Sequence, residues 1–254
     1  MDEKTGLVSI IMAAYNAEKT IRKAIGSVLD QSYQEWELIV VDDCSTDGTS
    51  LIVEQIRAQE QRVRYLRNET NSGVSKSRKR GLEAAQGEWI AVLDSDDAWT
   101  TDKLEKQIRL TKEKEAQLVF TGSAFMDDNG ESIDWQLHVP AVLTYRELLK
   151  QNLISNSSVL LKKKLYEENY VVGDQMHEDF AIWLLITRSG VPAYGIDEPL
   201  LIYRLANSSK SSNKFKAAKM NWKTYRHIGL NLVSASYYMC WYTIKGLLKY
   251  RHLK

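Results

Sequence analysis

WIAVLDSDDAW, residues 89–99, is the stretch on which the reading of this chain turns. An apolar run with the character of a buried strand stops at three carboxylates within four residues, Asp94, Asp96 and Asp97. Continuous apolar runs mark strands covered on both faces, as in a parallel sheet between helices. Carboxylates this close raise one another's pKa unless a cation or donors compensate. The usual compensator is a hard divalent cation, Mg2+ or Mn2+, held by one or two carboxylates and completed by substrate phosphates. The strand end therefore predicts a half-built site that a metal and a phosphorylated ligand finish.

Upstream, three more strand-like runs alternate with helical patterns: LVSIIMAA (7–14), WELIVVDD (36–43) and RVRYLRN (62–68). The helical patterns between them carry Ile21, Ile25, Val28 and Leu29 on one stripe and Leu51, Val53 and Ile56 on the next, and a third lies near 75–85. This βαβα rhythm with short connections predicts a doubly wound, mostly parallel α/β sheet. Downstream the pattern changes. Residues 118–137 read as two strands joined around Asp128-Asn129-Gly130, a hairpin signal. NSSVLLKK (156–163) reads as a short strand. HEDFAIWLLITRSG (177–190) reads as a helix with Phe180, Trp183, Leu184 and Thr187 inward and Gly190 at its end. Two helical patterns, 214–232 and 234–249, close the chain as a C-terminal helical appendage. The expected organisation is a main domain over 1–205, with halves over 1–100 and 101–205, followed by basic amphipathic helices over 206–254.

Composition excludes several classes. A chain of 254 residues, 44% hydrophobic and 26% charged, is neither disordered nor fibrous. Cys44 and Cys240 form no metal or disulfide pattern, which suits a reducing cytosol. The opening MDEKTGLVSIIMAAYN has acids where an export signal needs basic residues, and reads as a first strand. No run approaches the roughly 18 apolar residues of a membrane span. The net charge of +1 hides a split: eleven of the 34 Lys and Arg follow Glu198 and none of the 33 Asp and Glu do, leaving residues 1–198 at −10 and the remainder at +11. Such polarity predicts a basic face with an anionic partner.

Three chemistry-bearing clusters lie at strand ends: Tyr15-Asn16, Asp42-Asp43 and Asp94-Ser95-Asp96-Asp97. The carboxyl ends of strands in an open α/β sheet line one crevice, where ligands bind. Each cluster alone has a structural explanation, since aspartates cap helices and open turns. Three on one edge point to a site. AAYNAEK after the first strand contains no glycine, which counts against a dinucleotide-binding fingerprint.

VSIIMAAYNAEKTIRKAIGSVLDQSYQEWELIVVDDCSTDGT, followed by NSGVSKSRKRGLEAAQGEWIAVLDSDD, resembles the family 2 glycosyltransferases, inverting enzymes of the GT-A fold. The resemblance runs from about residue 7 to 102 and resumes at HEDFAIWLLITRSG and LLIYR, with the flavour of bacterial enzymes that build capsule, O-antigen or teichuronic-type polysaccharides. It implies a UDP-sugar donor and a saccharide acceptor, lipid-linked in such systems. Tyr15 then corresponds to the aromatic against the uracil ring and Asp43 to the acceptor of the uracil imide, while Asp42 orients the turn. Arg78 corresponds to an arginine near the nucleotide, although Ser77 and Lys79 depart from the family's pattern. Asp94 and Asp96 form the D-x-D motif, Asp94 facing the ribose and Asp96 binding Mn2+ or Mg2+, with Asp97 in support. Asp179 corresponds to the catalytic base; without the resemblance, Glu178-Asp179 reads as an acidic pair favoured at a helix N-terminus. His177 beside it reads as a turn residue. Arg204, in YRLANSSKSSNK, resembles the basic loop residue over the diphosphate, without the histidine that often follows it.

Two rival readings stand beside it: a nucleotidyltransferase, which needs a Gly- and basic-rich loop that AAYNAEKT does not offer, and, in a different class, a catalytically inactive nucleotide-sugar-binding subunit of an assembly complex. Nucleic acid is not an expected partner. Tyr237, Trp241, Ile244 and Leu248 share a helical stripe beside Lys245 and Lys249. Such a stripe suits either an anionic membrane surface or packing, on the domain or in a homodimer. The expected location is cytoplasmic, peripheral on the inner face of the cell membrane.

Overall fold

In the computed structural model, residues 4–205 and 214–249 are described. Strands Lys4–Ala14 (β1), Trp36–Asp42 (β2), Val63–Arg67 (β3) and Gly87–Val92 (β4) alternate with helices Ile21–Leu29 (α1), Thr49–Arg57 (α2) and Val74–Ala84 (α3). Ala98–Trp99 (β5), Lys103–Lys114 (α4), Leu118–Met126 (β6), Ser132–Leu137 (β7) and Val142–Leu143 (β8) follow. Then come Tyr145–Leu148 (α5), a 3-10 turn at Asn156–Ser158, Leu160–Lys162 (β9), Lys163–Asn169 (α6), Glu178–Arg188 (α7), Ala193–Arg204 (β10), Lys214–His227 (α8) and Leu232–Lys249 (α9).

The sheet runs β3-β2-β1-β4-β9-β6-β10-β5, with β7 on β6 and β8 on β10. From β3 to β4 every pairing is parallel, as the continuous apolar runs predict. Beyond β4 the sheet is mixed: β9 is antiparallel to β4 and β6, and β6 and β10 are parallel. Strand order reverses at β1, since β2 lies on one side and β4 on the other. The crevice at a reversal opens at the carboxyl ends of the strands, which here carry Tyr15, Asp43 and Asp94.

Both faces are covered. Val8, Ile10 and Met12 of β1 join a core with Ile21, Ile25 and Val28 of α1, Val53 of α2 and Leu104 of α4. Ile11 of β1 joins the opposite core, with Leu82 of α3 and Phe180, Trp183 and Leu184 of α7. Truncating one of these buried side chains to Ala would cost about 2–5 kcal/mol. Leu51, expected on an inward stripe, is exposed; Val53 alone of its trio is fully buried, and Ile52 and Ile56 are half-buried beside it. The short strand expected over 156–163 is shorter than its apolar letters, because Asn156–Ser158 form a 3-10 turn before β9.

The two C-terminal helices are not pendant. α8 ends at His227, with Gly229 at φ +86° closing it. Asn231 caps α9, its Oδ1 accepting from the Ser234 N–H at 2.8 Å. The buried Tyr225 hydroxyl donates to the Leu149 carbonyl at 2.6 Å. Tyr242 of α9 lies 6.0 Å from the Phe180 ring, and Tyr238 6.4 Å from that of Tyr225. Among the described residues no helix is long and apolar enough to cross a membrane.

Candidate active site

The loops after β1 and β2 are knitted together. Asn16, left-handed at φ +48°, donates its N–H to Ser45 Oγ at 3.0 Å, and its Oδ1 accepts the Thr46 N–H at 2.9 Å. Tyr15 stands out from this junction, 51% exposed. Asp42 does orient the turn: its Oδ1 accepts the Ser45 N–H at 2.8 Å and its Oδ2 the Tyr65 hydroxyl at 2.6 Å. Asp43 is buried among donors. Asn68 Nδ2 and the Ser72 N–H donate to Oδ1 at 2.7 and 2.8 Å, and the Gly73 N–H to Oδ2 at 2.8 Å. Burial pushes this carboxyl up, but the donors from Ser72, Asn68, Gly73 and Ser77 outweigh it and hold it below the usual range. Gly73 is required here: its φ of +89° is the left-handed side of the map, and a Cβ would collide with the Asp174 carboxylate.

After β4 the chemistry reverses. Asp97 is buried, with Oδ2 accepting the Ser157 hydroxyl at 2.6 Å and Oδ1 the Arg204 N–H at 3.0 Å. Burial, then repulsion from Asp96 and Asp94, push its carboxyl well above the usual range. Asp96 is pushed up to about 6 by burial and by Asp94, against partial relief from Arg204 and Arg78. Asp94 is half-buried, its side chain 29% exposed. Two acids destabilised by burial and by one another suit a divalent cation. Among the described residues no three His, Cys, Asp or Glu side chains converge as a metal site. An ion at Asp96 would thus take most of its ligands from phosphates and water, as Mg2+ commonly does.

Arg78 is placed differently from the sequence expectation of contact with the nucleotide. It is 7% exposed, and its two terminal nitrogens donate to Asp94 Oδ1 at 2.5 Å and Glu178 Oε1 at 2.8 Å. Burial works against its charge, yet Asp94 and Glu178 raise its pKa above the ordinary arginine value. The guanidinium therefore sits behind Asp94 and ties it to the first turn of α7. Arg204 also departs from expectation. Its Nε donates to the Asp96 carbonyl at 3.0 Å, and its Nη1 to the carbonyls of Asp127 and Asp128, both at 3.0 Å. A side chain committed to three backbone oxygens buttresses the Asp94–Asp97 turn. Residues 206–213, which follow it in the chain, lie outside the described residues.

Asp179 is half-buried in the first turn of α7, one residue beyond the Glu178 that Arg78 holds. That turn is further fixed by the His177 N–H, which donates to Thr224 Oγ1 of α8 at 3.1 Å. Sequence reasoning missed Asn156 and Ser157. Asn156 Nδ2 donates to Asp94 Oδ1 at 3.3 Å, and Ser157 Oγ accepts the Asp94 N–H at 3.0 Å while serving Asp97. Three polar residues ahead of the run VLL were the available signal.

The family described as glycosyl transferase family 2 matches residues 9–175. The chain belongs to glycosyl transferase family 2. This glycosyltransferase is 43% identical over 222 residues to the putative teichuronic acid biosynthesis glycosyltransferase TuaG of Bacillus subtilis (strain 168), covering 87% of this chain and 88% of TuaG. It is 37% identical over 246 residues to the Escherichia coli UDP-Glc:alpha-D-GlcNAc-diphosphoundecaprenol beta-1,3-glucosyltransferase WfgD, covering 96% and 95%. Among solved structures, S. aureus TarS 1–349 in complex with UDP superposes with a TM-score of 0.68 at 21% identity, covering 92% of this chain and 69% of that one. The Pyrobaculum calidifontis mannosyltransferase PcManGT, in complex with GDP-Man and Mn2+, gives 0.69 at 16%, covering 92% and 68%. The fold of this family 2 enzyme is GT-A, with its mixed sheet and helices on both faces.

Proposed function

We propose that this enzyme moves a sugar, with inversion, from a UDP-sugar to a hydroxyl of a lipid-linked saccharide in bacterial surface-polysaccharide biosynthesis. The observation that carries this reading is the Arg78 bridge, which ties Asp94 of the donor crevice to the helix turn bearing Asp179. The uracil ring lies on Tyr15, and Asp43 Oδ2 accepts its imide N–H. Asp94 faces the ribose. Asp96 would hold Mg2+ or Mn2+, which would supply Lewis-acid stabilisation to the departing diphosphate. Asp179 takes the proton of the acceptor hydroxyl as that oxygen attacks the anomeric carbon. The bond to the diphosphate breaks on the opposite face, so the configuration inverts. A positioned base of this kind is worth about 10²–10⁴-fold.

Residues 1–100 thus serve the donor and 101–205 the acceptor. The donor and acceptor named for WfgD, UDP-Glc and a diphosphoundecaprenol-linked sugar, support this assignment, as does the Mn2+ of PcManGT for the metal. A lipid-linked acceptor puts the enzyme in the cytoplasm, peripheral on the inner face of the membrane. The test is a panel of nucleotide sugars incubated with the full chain and Mn2+, with and without chelator. A UDP-sugar should be hydrolysed only with metal, releasing the inverted anomer. Consumption of no UDP-sugar, or release of the retained anomer, would overturn the proposal.

A further inference from the structure

Helix α9 divides its residues by face. Ala235 is fully buried, and Tyr238, Met239 and Tyr242 pack against the core formed with α7 and α8. On the other side Val233, Tyr237, Trp241 and Ile244 are between 38% and 80% exposed. Their spacings of four, four and three put them on one face of the helix. Cys240, also exposed, lies on the same face. Leu248 and Lys249, expected to extend the stripe, have side chains outside the described residues. The packing alternative applies to the opposite face, so this stripe is not core.

The charge near the stripe is mostly basic, with Glu147 of α5 the acid that faces Lys245 and Lys150. Beyond Glu198 the chain has no carboxylate side chain, and α8 and α9 together carry Lys214, Lys216, Lys219, Lys223, Arg226, Lys245 and Lys249. Lys150 Nζ sits 5.6 Å from the centre of the Trp241 ring, adding a cation at the stripe from α5–β9 territory. Aromatic rings and aliphatic side chains amid basic residues complement an anionic phospholipid surface, where Trp and Tyr settle at headgroup level. A second copy of the same basic helix would oppose like charge to like.

We infer that the outward face of α9, centred on Tyr237, Trp241 and Ile244, docks this enzyme on an anionic phospholipid bilayer. The inference rests on the proposed lipid-linked acceptor for its purpose, while its test does not depend on catalysis. Full-length protein is floated with vesicles of phosphatidylcholine alone and with a third of phosphatidylglycerol. It should bind only the anionic vesicles at low salt and be released at high salt. The triple variant Tyr237→Ser, Trp241→Ser, Ile244→Ser should lose at least about tenfold in bound fraction and keep metal-dependent UDP-sugar hydrolysis. If that variant fails to fold, a polarity-sensitive dye on Cys240, in a Cys44→Ser background, gives the same reading. Its emission should shift to the blue with anionic vesicles and not with neutral ones. Intact protein that ignores anionic vesicles at low salt, or an unshifted dye, overturns the inference. So does a concentration-dependent dimer in sedimentation that the triple variant abolishes, since the stripe is then a subunit contact. Failure of UDP-sugar hydrolysis with flotation intact would strike the donor assignment instead.

Discussion

Asp43 and Asp96 follow the two strands that flank β1, and their surroundings differ in kind. Asp43 is surrounded by neutral donors, three of them within 2.8 Å, and is held ionised by the protein alone. Asp96 sits with Asp94 and Asp97 where burial and repulsion disfavour charge, with two arginines in partial relief. One site is complete before any ligand arrives. The other is completed by what it binds. In the proposed reading, base recognition is thereby preorganised in the fold, while the reactive end would gain its full complement of charge only with metal and diphosphate present.

The sharpest way to break this comparison is Asp96→Ala. Metal-dependent hydrolysis of the UDP-sugar should be abolished, because the ion loses its protein ligand. The melting temperature should hold or rise, since a buried carboxylate facing two others has gone. Asp43→Ala should do the opposite for stability, orphaning buried donors at about 1–3 kcal/mol. Thermal melts of both variants, with activity measured in parallel, decide it. If Asp96→Ala melts well below the parent, the cluster is a structural element after all.

Asp179→Asn comes next. It keeps the shape and removes the proton acceptor, so transfer should fall by at least about 10²-fold while UDP affinity by calorimetry stays put. A variant that transfers sugar normally would place the base elsewhere.

Arg78 ranks third. Lysine keeps the charge but cannot offer two nitrogens in a fixed fork to Asp94 and Glu178. Displacing either carboxylate by a fraction of an ångström should cost between about tenfold and a hundredfold in kcat. KM for donor should move far less. Equal loss in binding and turnover would instead restore the direct nucleotide contact expected from sequence.

What sequence could and could not reveal follows the same division. β1, β2 and β4 were legible because strands buried on both faces have no polar alternation to confuse the reading. Motifs at strand and helix ends singled out Asp43, Asp94, Asp96 and Asp179, whose proposed roles the variants above test. Arg78 and Arg204 were read as donor contacts because charge is visible in a sequence and burial is not. Both are committed to protein oxygens by tertiary placement, through partners 16 to 108 residues away. Helix α4, KLEKQIRLTKEK, went unread because its inward face mixes Leu104 and Ile108 with Lys103, Gln107 and Thr111, blurring the apolar stripe. β10 went unread as a strand, LLIYR entering only through the resemblance, since a register shift between Ile196 and Leu201 interrupts its pattern.

The smallest effect is expected at Asp43→Asn. The amide keeps one oxygen, enough to satisfy Asn68 and the Ser72 N–H, but turns an NH2 toward the Gly73 N–H and the incoming imide. Of the two donor–donor contacts, the one with the imide replaces a charge-assisted acceptor on binding, a loss of about 1.5 kcal/mol, or about tenfold in UDP affinity. Discrimination against ADP should shrink by the same factor, because adenine brings no imide and loses nothing. Gly73→Ala tests the same contact from the backbone side: relief of its left-handed strain and of the clash with Asp174 must move the N–H off Asp43 Oδ2. It should weaken UDP comparably and, combined with Asp43→Asn, add little further. Fully additive losses in calorimetry would mean that the two residues do not act through one hydrogen bond.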